Sequence, residues 1–423
     1  MTLNTYFIPG SNGKIDAGGR IVSPNSDGTY TAVDAASEAA LSQLGQLFTP
    51  ALAAQIQALV SGGGIPPWTK HPQLASFKAA LLAARAGTAD CKVAFVGDST
   101  TMGAWGAGSG YTGARPFCRA DKFADFLRAS GFTAYKSSYW GDSYTNTLLA
   151  AYDTRITRGT NWVSNFLSIL GGTSNTHNTN GSFTTISFAP TEIIDTVDVY
   201  YITNTGYGSC QVLVDGVVNG AALTGAGSLA VVKATRTFSA GVHAIGIQKT
   251  VDGTFHLLGV DCYNASAKGV RCWQMGAGGV KASDVAAAAA VYDPTSLLKT
   301  YAPDLTVINL GINDWLNATA PATYQAAIST IVDAARLSGD VLIEVPVASS
   351  YASTSQANQE LITFALRQTA ANKGVPIADL NAAMRNYTSA TTAGYFLPAS
   401  DLIHPGPTGY QFMANVLADA LFK

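Results

Sequence analysis

Short apolar runs that end in small polar residues recur along this chain, with helix-like patterns between them. Val93-Ala94-Phe95-Val96 runs into Gly97-Asp98-Ser99, and Thr306-Val307-Ile308-Asn309-Leu310 runs into Gly311-Ile312-Asn313-Asp314. Residues 341–347 and 375–378 repeat the buried-strand pattern. Amphipathic or Ala-rich stretches at 74–85, 285–292, 324–337, 356–372 and 408–421 predict helices. Strand alternating with helix implies an α/β fold, a parallel sheet covered by helices on both faces.

A different rhythm interrupts this one. Ser99 to Gly279 spans 180 positions, far more than a simple crossover needs. From 182 to 263, apolar and polar residues alternate at Val197, Val199 and Tyr201, at Val212 and Val214, and at Ile245 and Ile247. Asp215-Gly216 and Asp252-Gly253 supply hairpin turns. The pattern predicts a β-sandwich inserted into the α/β domain. Ahead of both, Leu41, Leu44, Leu47, Phe48, Leu52, Ile56 and Leu59 share one face of a helix expected over 32–60. That face packs on its own domain or serves as an attachment or oligomerisation element. Ser61-Gly62-Gly63-Gly64-Ile65-Pro66-Pro67 reads as a linker. The expected organisation is a helical segment 1–64, a catalytic domain in two parts, 65–180 and 269–423, and an insert at 181–268.

Composition narrows the class. Charged residues make up 12% and the formal net charge is −2, which excludes a nucleic-acid binder built on a basic footprint. No stretch has the length and apolarity of a membrane-spanning helix. The first residues, from Met1 to Gly10, lack the basic start and apolar core of a secretory signal. Gly, Ser, Thr and Tyr are abundant, as in extracellular and carbohydrate-facing proteins, and export by virion release is one route that needs no signal. The opening segment is similar in style to a phage tail protein. Five cysteines leave one unpaired and indicate no disulfide framework, although Cys210 and Cys262 fall in neighbouring strand patterns. No histidine or cysteine spacing matches a zinc site, and the glycine run at Gly276 lacks the lysine of a phosphate loop. No cofactor or metal is expected.

The chemistry resides in four blocks. Gly97-Asp98-Ser99 presents a serine at a strand end, and Asp401-Leu402-Ile403-His404 places a carboxylate three residues before a histidine. Histidine titrates near neutrality and suits a general base; a carboxylate beside it fixes its tautomer. Gly276-Ala277-Gly278-Gly279 and Asn313 offer backbone and amide donors for a developing oxyanion. A second Gly-Asp-Ser, at Gly141-Asp142-Ser143, follows Ser137-Ser138-Tyr139-Trp140 and lacks the apolar strand that precedes Ser99. It reads as an ordinary turn. His177 reads as loop, and His243 and His256 as half-buried strand residues.

In this order the blocks resemble the SGNH (GDSL-type) hydrolase family of esterases, lipases, thioesterases and carbohydrate deacetylases. The resemblance implies a flavodoxin-like, three-layer α/β/α fold of about five strands. It implies a Ser99, His404 and Asp401 triad, with an oxyanion hole from the N–H groups of Ser99 and Gly279 and the Asn313 amide. The glycine block departs from the family pattern at Gln274, where Asn is usual, and at Val280-Lys281-Ala282. Family members can carry a jelly-roll-like module beside the site. Trp315, Trp105 and Trp273, near the blocks, are the expected sugar-stacking residues, with Tyr111 and Trp140 as further aromatics. The expectation is a serine esterase removing acetyl groups from an acetylated polysaccharide, extracellular or virion-associated. The alternatives are a glycan-binding attachment protein with a secondary hydrolase domain, and a lipase or thioesterase.

Overall fold

The computed structural model describes residues 71–422 apart from 109, 143–147, 351–355 and 398–401, together with four short strands before residue 32. Those strands pair antiparallel, Thr5–Phe7 with Thr29–Thr31 and Ile15–Asp16 with Ile21–Val22. The segment expected to be helical therefore opens in strands. The helix expected over 32–60 lies outside the described residues.

His71–Leu421 forms one compact unit. At its centre is a sheet of six strands: β1 (Cys91–Gly97), β2 (Ala134–Tyr135), β3 (Val270–Gln274), β4 (Leu305–Asn309), β5 (Asp340–Val345) and β6 (Ile377–Asp379). All pairings are parallel, and the spatial order is β6-β5-β4-β1-β3-β2. Without the two-residue edge strand β2, this is the flavodoxin order. The order reverses beside β1, so the carboxyl end of β1 is where such sheets place their sites. Five of the seven β1 residues are apolar and buried because helices cover both faces. The helices Ala75–Arg85, Pro321–Ala335, Gln356–Lys373 and Pro407–Phe422 lie close to their expected positions.

One helix does not. The run Ala286–Ala290 has high helix propensity, yet the helices flanking it are Ala282–Val285 and Pro294–Tyr301. Ala290 N–H donates to the Asp293 carboxylate at 2.7 Å and Thr295 Oγ1 to the Ala287 carbonyl at 2.7 Å, holding the run in turns. A new helix then starts at Pro294, its first residue. The alanines bring no large apolar stripe to bury, so local capping decides the geometry.

Two antiparallel sheets fill the insert. One contains Trp162–Ile169, Gly172–His177, Ile194–Thr203, Ala230–Gly241 and Phe255–Tyr263, with Ser138–Trp140 added to Phe255–Tyr263. The other contains Ile156–Arg158, Thr185–Phe188, Ser209–Val214, Val217–Val218 and Ile245–Val251, with Leu223–Thr224 added to Ser209–Val214. Trp162, Val199, Phe255, Ile186, Val212 and Ile247 meet between them in one core. The insert thus begins near Ser138, not near 181. One of its early strands escapes a pattern search because it is polar: Gly172–His177 has no large aliphatic residue, yet every residue in it is buried. His177, expected in a loop, lies in that strand.

The sandwich is also not self-contained. Along Ile194–Thr203 every residue is buried, because Val197, Val199 and Tyr201 face the sandwich core while Tyr200 and Ile202 join the catalytic core. Trp140 packs against Tyr200, Trp273 and Tyr301 with ring centroids 4.6–5.2 Å apart. Arg271 of β3 pairs with Asp198 and Asp261 of the sandwich, both buried. Cys210 and Cys262 lie in the sandwich core as free thiols, as are the other three cysteines, so the pairing considered from sequence does not form.

Candidate active site

The site grows out of the end of β1. A Cβ on Gly97 would sit 2.0 Å from Thr101 Oγ1 and 2.3 Å from the Asn309 carbonyl, so only glycine permits this crossing of β1 and β4. Asp98 then caps the helix Ser99–Met102: its Oδ1 accepts from Thr100 N at 2.8 Å and from Thr100 Oγ1 at 2.8 Å. Tyr152 donates to the Met102 carbonyl at 2.9 Å and Tyr410 to the Ala104 carbonyl at 2.7 Å, which pins the turn from two sides. Ser99, the first helical residue, is 4% exposed.

His404 approaches from the opposite end of the chain. Its loop is held by Ser349 Oγ donating to the Ile403 carbonyl at 3.3 Å and Ser350 N to the Leu402 carbonyl at 2.8 Å. Past it, Gly406 N donates to the Tyr395 carbonyl at 2.8 Å, and the helix Pro407–Phe422 begins. So placed, His404 Nε2 lies 2.6 Å from Ser99 Oγ. A base within hydrogen-bond reach of a hydroxyl is the geometry of an activated nucleophile. Asp401, expected to orient the imidazole, lies outside the described residues.

The other two blocks wrap the same point. Ala277 N donates to the Gly97 carbonyl at 2.9 Å, tying the glycine loop to the end of β1. Gln274, where the family pattern has Asn, spans the turn: its Nε2 donates to the Gly276 carbonyl at 3.2 Å and its Oε1 accepts from Gly276 N at 3.3 Å. Gly279 has φ +77°, and no atom would approach a Cβ there within 4 Å. Asn313 Nδ2 donates to the Val280 carbonyl at 2.9 Å. A primary amide has two N–H donors; this bond uses one and fixes the orientation of the other. Beside it the Asp314 Oδ2 accepts from Ala282 N at 3.0 Å, joining the third block to the second.

Two buried carboxylates stand behind these groups. Burial pushes Asp98 up to about 6, against the opposing pull of its Thr100 hydrogen bonds and the nearby His404 charge. Burial likewise raises Asp314. Oδ2 of Asp98 and Oδ1 of Asp314 have no hydrogen-bond partner among the described residues. Both residues brace backbone from below.

The second Gly-Asp-Ser has a different setting. A strand does precede it, Ser138–Trp140, but that strand belongs to the antiparallel sandwich. Asp142 pairs with Arg158, and its backbone exchanges two 2.7 Å hydrogen bonds with Thr173, which makes this a structural corner. Ser143 lies outside the described residues.

The aromatic expectations need correction. Trp273 is fully buried, and its indole N–H donates to Asp261 at 2.9 Å, so it cannot stack on a sugar. Trp140 and Trp315 are 4% and 3% exposed, and Trp315 lines a cavity. Trp105, half-buried with φ +66°, sits in the turn after the Ser99 helix. A tryptophan in a sequence marks a large apolar surface, and here the interface with the sandwich consumes most of it. What sequence reasoning missed is a polar cavity of about 610 Å³ on the β5–β6 side of the site, lined by hydroxyl, amide and arginine groups scattered over 315–389.

Residues 259–412 match the GDSL-like Lipase/Acylhydrolase family. The match takes in the glycine block, Asn313 and His404, while Ser99 precedes it, separated by the inserted sandwich. No curated protein matches the chain. Among solved structures, one described as a peptidoglycan O-acetylesterase in action is 16% identical and covers 82% of this chain and 95% of its own, with a TM-score of 0.62. A lipase/acylhydrolase from Enterococcus faecalis is 19% identical over 36% of this chain and 76% of its own, with a TM-score of 0.30. A catalytic mutant of an acetylxylan esterase from Geobacillus stearothermophilus is 15% identical over 36% of this chain and 73% of its own, TM-score 0.30. The first of these likenesses shows the fold.

Proposed function

With the fold of an SGNH hydrolase and the family match of residues 259–412 as premise, we propose that this chain is a serine esterase removing acetyl groups from a polysaccharide or glycoconjugate. The observation that carries the proposal is the 2.6 Å contact of Ser99 Oγ with His404 Nε2 at the carboxyl end of β1. Ser99 Oγ attacks the acetyl carbonyl carbon while His404 takes its proton. The oxygen of the tetrahedral intermediate accepts hydrogen bonds from the N–H groups of Ser99 and Gly279 and from Asn313. Collapse breaks the bond to the sugar oxygen, which leaves with the proton from His404. Water, deprotonated by His404, then attacks the acetyl-serine, releasing acetate and restoring Ser99. Asp401 holds the imidazole in the tautomer this sequence requires.

An acetylated glycan is favoured over a lipid by the polar lining of the neighbouring cavity, where Ser349, Ser350, Gln359 and Thr363 contribute. It is also favoured by the extent of the fold match to a peptidoglycan O-acetylesterase, too wide to omit the sandwich. A series of chromogenic esters from acetate to decanoate, with acetate release from O-acetylated polysaccharides, tests the reading. Preference for acetate is expected; a maximum at eight carbons or beyond would instead favour a lipase.

A further inference from the structure

Beyond the Ser99–His404 pair, the cavity on the β5–β6 side presents one cation without a partner among the described residues. Arg385 and Arg367 both line it, but Arg367 is committed: its Nε and Nη2 reach the two oxygens of Asp379 at 2.8 and 3.1 Å. Arg385 is exposed and has no ion pair or side-chain hydrogen bond among the described residues. Its backbone is unusual. It ends the helix Leu380–Met384 with φ +67° and ψ −89°, a region that L residues rarely occupy. Glycine is the usual residue at such a helix end. An arginine held there at a conformational cost points to a use for its side chain.

The surroundings suit a sugar. Tyr387 offers a half-buried ring braced against Phe396, with centroids 4.9 Å apart. Hydroxyl and amide groups make up most of the remaining lining, and Glu360, engaged by Gln356 Nε2 at 3.1 Å, is its one carboxylate among the described residues. The cavity also adjoins the reacting groups through its walls. Ser349 and Ser350 hold the loop of His404, and Trp315 follows Asn313 by two residues in the helix Ile312–Leu316.

The geometry points to a subsite for a carboxylate-bearing sugar, the unit next to the acetylated one, with Arg385 receiving the carboxylate and Tyr387 the ring face. This rests on the esterase reading for its place in catalysis, but the binding claim stands by itself. Two measurements separate them. The first is calorimetric titration of the wild-type chain and Arg385→Ala with oligogalacturonate and muramic-acid-containing glycan fragments, with neutral xylo-oligosaccharide as control. The wild type should bind at least one acidic ligand, and Arg385→Ala should weaken that binding about tenfold or more, the scale of one charge-assisted hydrogen bond. Xylo-oligosaccharide affinity should be the same in both proteins. The second is acetate release: KM for an acidic O-acetylated polymer should rise by a similar factor in Arg385→Ala, with kcat on 4-nitrophenyl acetate unchanged.

Arg385→Gly, which relieves the backbone, should be at least as thermally stable as the wild type and show the same loss of acidic-glycan binding. No binding of any acidic ligand by the wild type, or equal losses on acidic and neutral ligands, would overturn the subsite. Failure to hydrolyse any acetate ester, with the titration result intact, would refute the esterase reading alone.

Discussion

Trp140→Ala offers the sharpest test of how the sandwich and the catalytic sheet depend on each other. Its ring is 4% exposed and lies between Tyr200 of the sandwich and Trp273 and Tyr301 of the α/β layer. Truncating a buried tryptophan costs about 3–5 kcal/mol. The unit His71–Leu421 has 351 residues; at about 2.1 cal/mol/K per residue its unfolding entropy is about 0.7 kcal/mol/K. A loss of about 4 kcal/mol therefore lowers Tm by about 5 °C. Differential scanning calorimetry should show one transition shifted by that amount, with loss of ester hydrolysis following the same curve. The control is Phe255→Ala, deep in the sandwich core and stacked on Tyr201 at 5.3 Å. If the two layers unfold together, this remote change lowers the inactivation temperature as well. Two resolved transitions, with Phe255→Ala moving one of them and leaving the inactivation temperature unchanged, would refute the shared core.

Two other outcomes follow from the site. Asn313→Ala should reduce kcat on the order of 10²-fold with KM little changed, because its free amide hydrogen serves the oxyanion more than the ground state; steady-state kinetics on 4-nitrophenyl acetate reads the split, and a change in KM alone would recast Asn313 as a binding group. Burial holds Asp98 near 6, above the ordinary carboxylate range, so the folded state binds the proton more tightly and the wild type loses stability as pH rises from about 4 through 6. Asp98→Asn removes that titration, so the variant's stability relative to the wild type should improve by about 3 kcal/mol between pH 4 and 7 in denaturant titrations; a difference independent of pH would show that Asp98 stays ionised.

Legibility in the sequence tracked how residues are buried. Strands covered on both faces by helices, such as Cys91–Gly97 and Leu305–Asn309, are continuous apolar runs, and their ends displayed the serine and the asparagine. Ser99 and His404 are separated by 305 positions yet meet, as the block order implied. The strand Gly172–His177 was illegible because its burial is satisfied by hydrogen bonds. Ser174 and Thr176 hydroxyls lie 3.2 and 2.9 Å from His256 Nδ1, and Asn175 Nδ2 donates to the Gly141 carbonyl at 3.2 Å. The fate of the tryptophans was equally hidden, since a sequence pattern cannot distinguish a ring facing a cleft from one facing another sheet. Arg385 carried no signal either: its significance lies in a backbone angle.

Active-site labelling tests the central claim most directly. A fluorophosphonate reacts only with a serine activated by a neighbouring base, so the intact chain should be treated with the reagent, digested, and the adduct located by mass spectrometry. Ser99 should carry the whole label, Ser99→Ala and His404→Ala should take up essentially none, and Ser143→Ala should be labelled like the wild type. A phosphonylated Ser143, or a folded and hydrolytically active chain that leaves Ser99 unmodified, would contradict it.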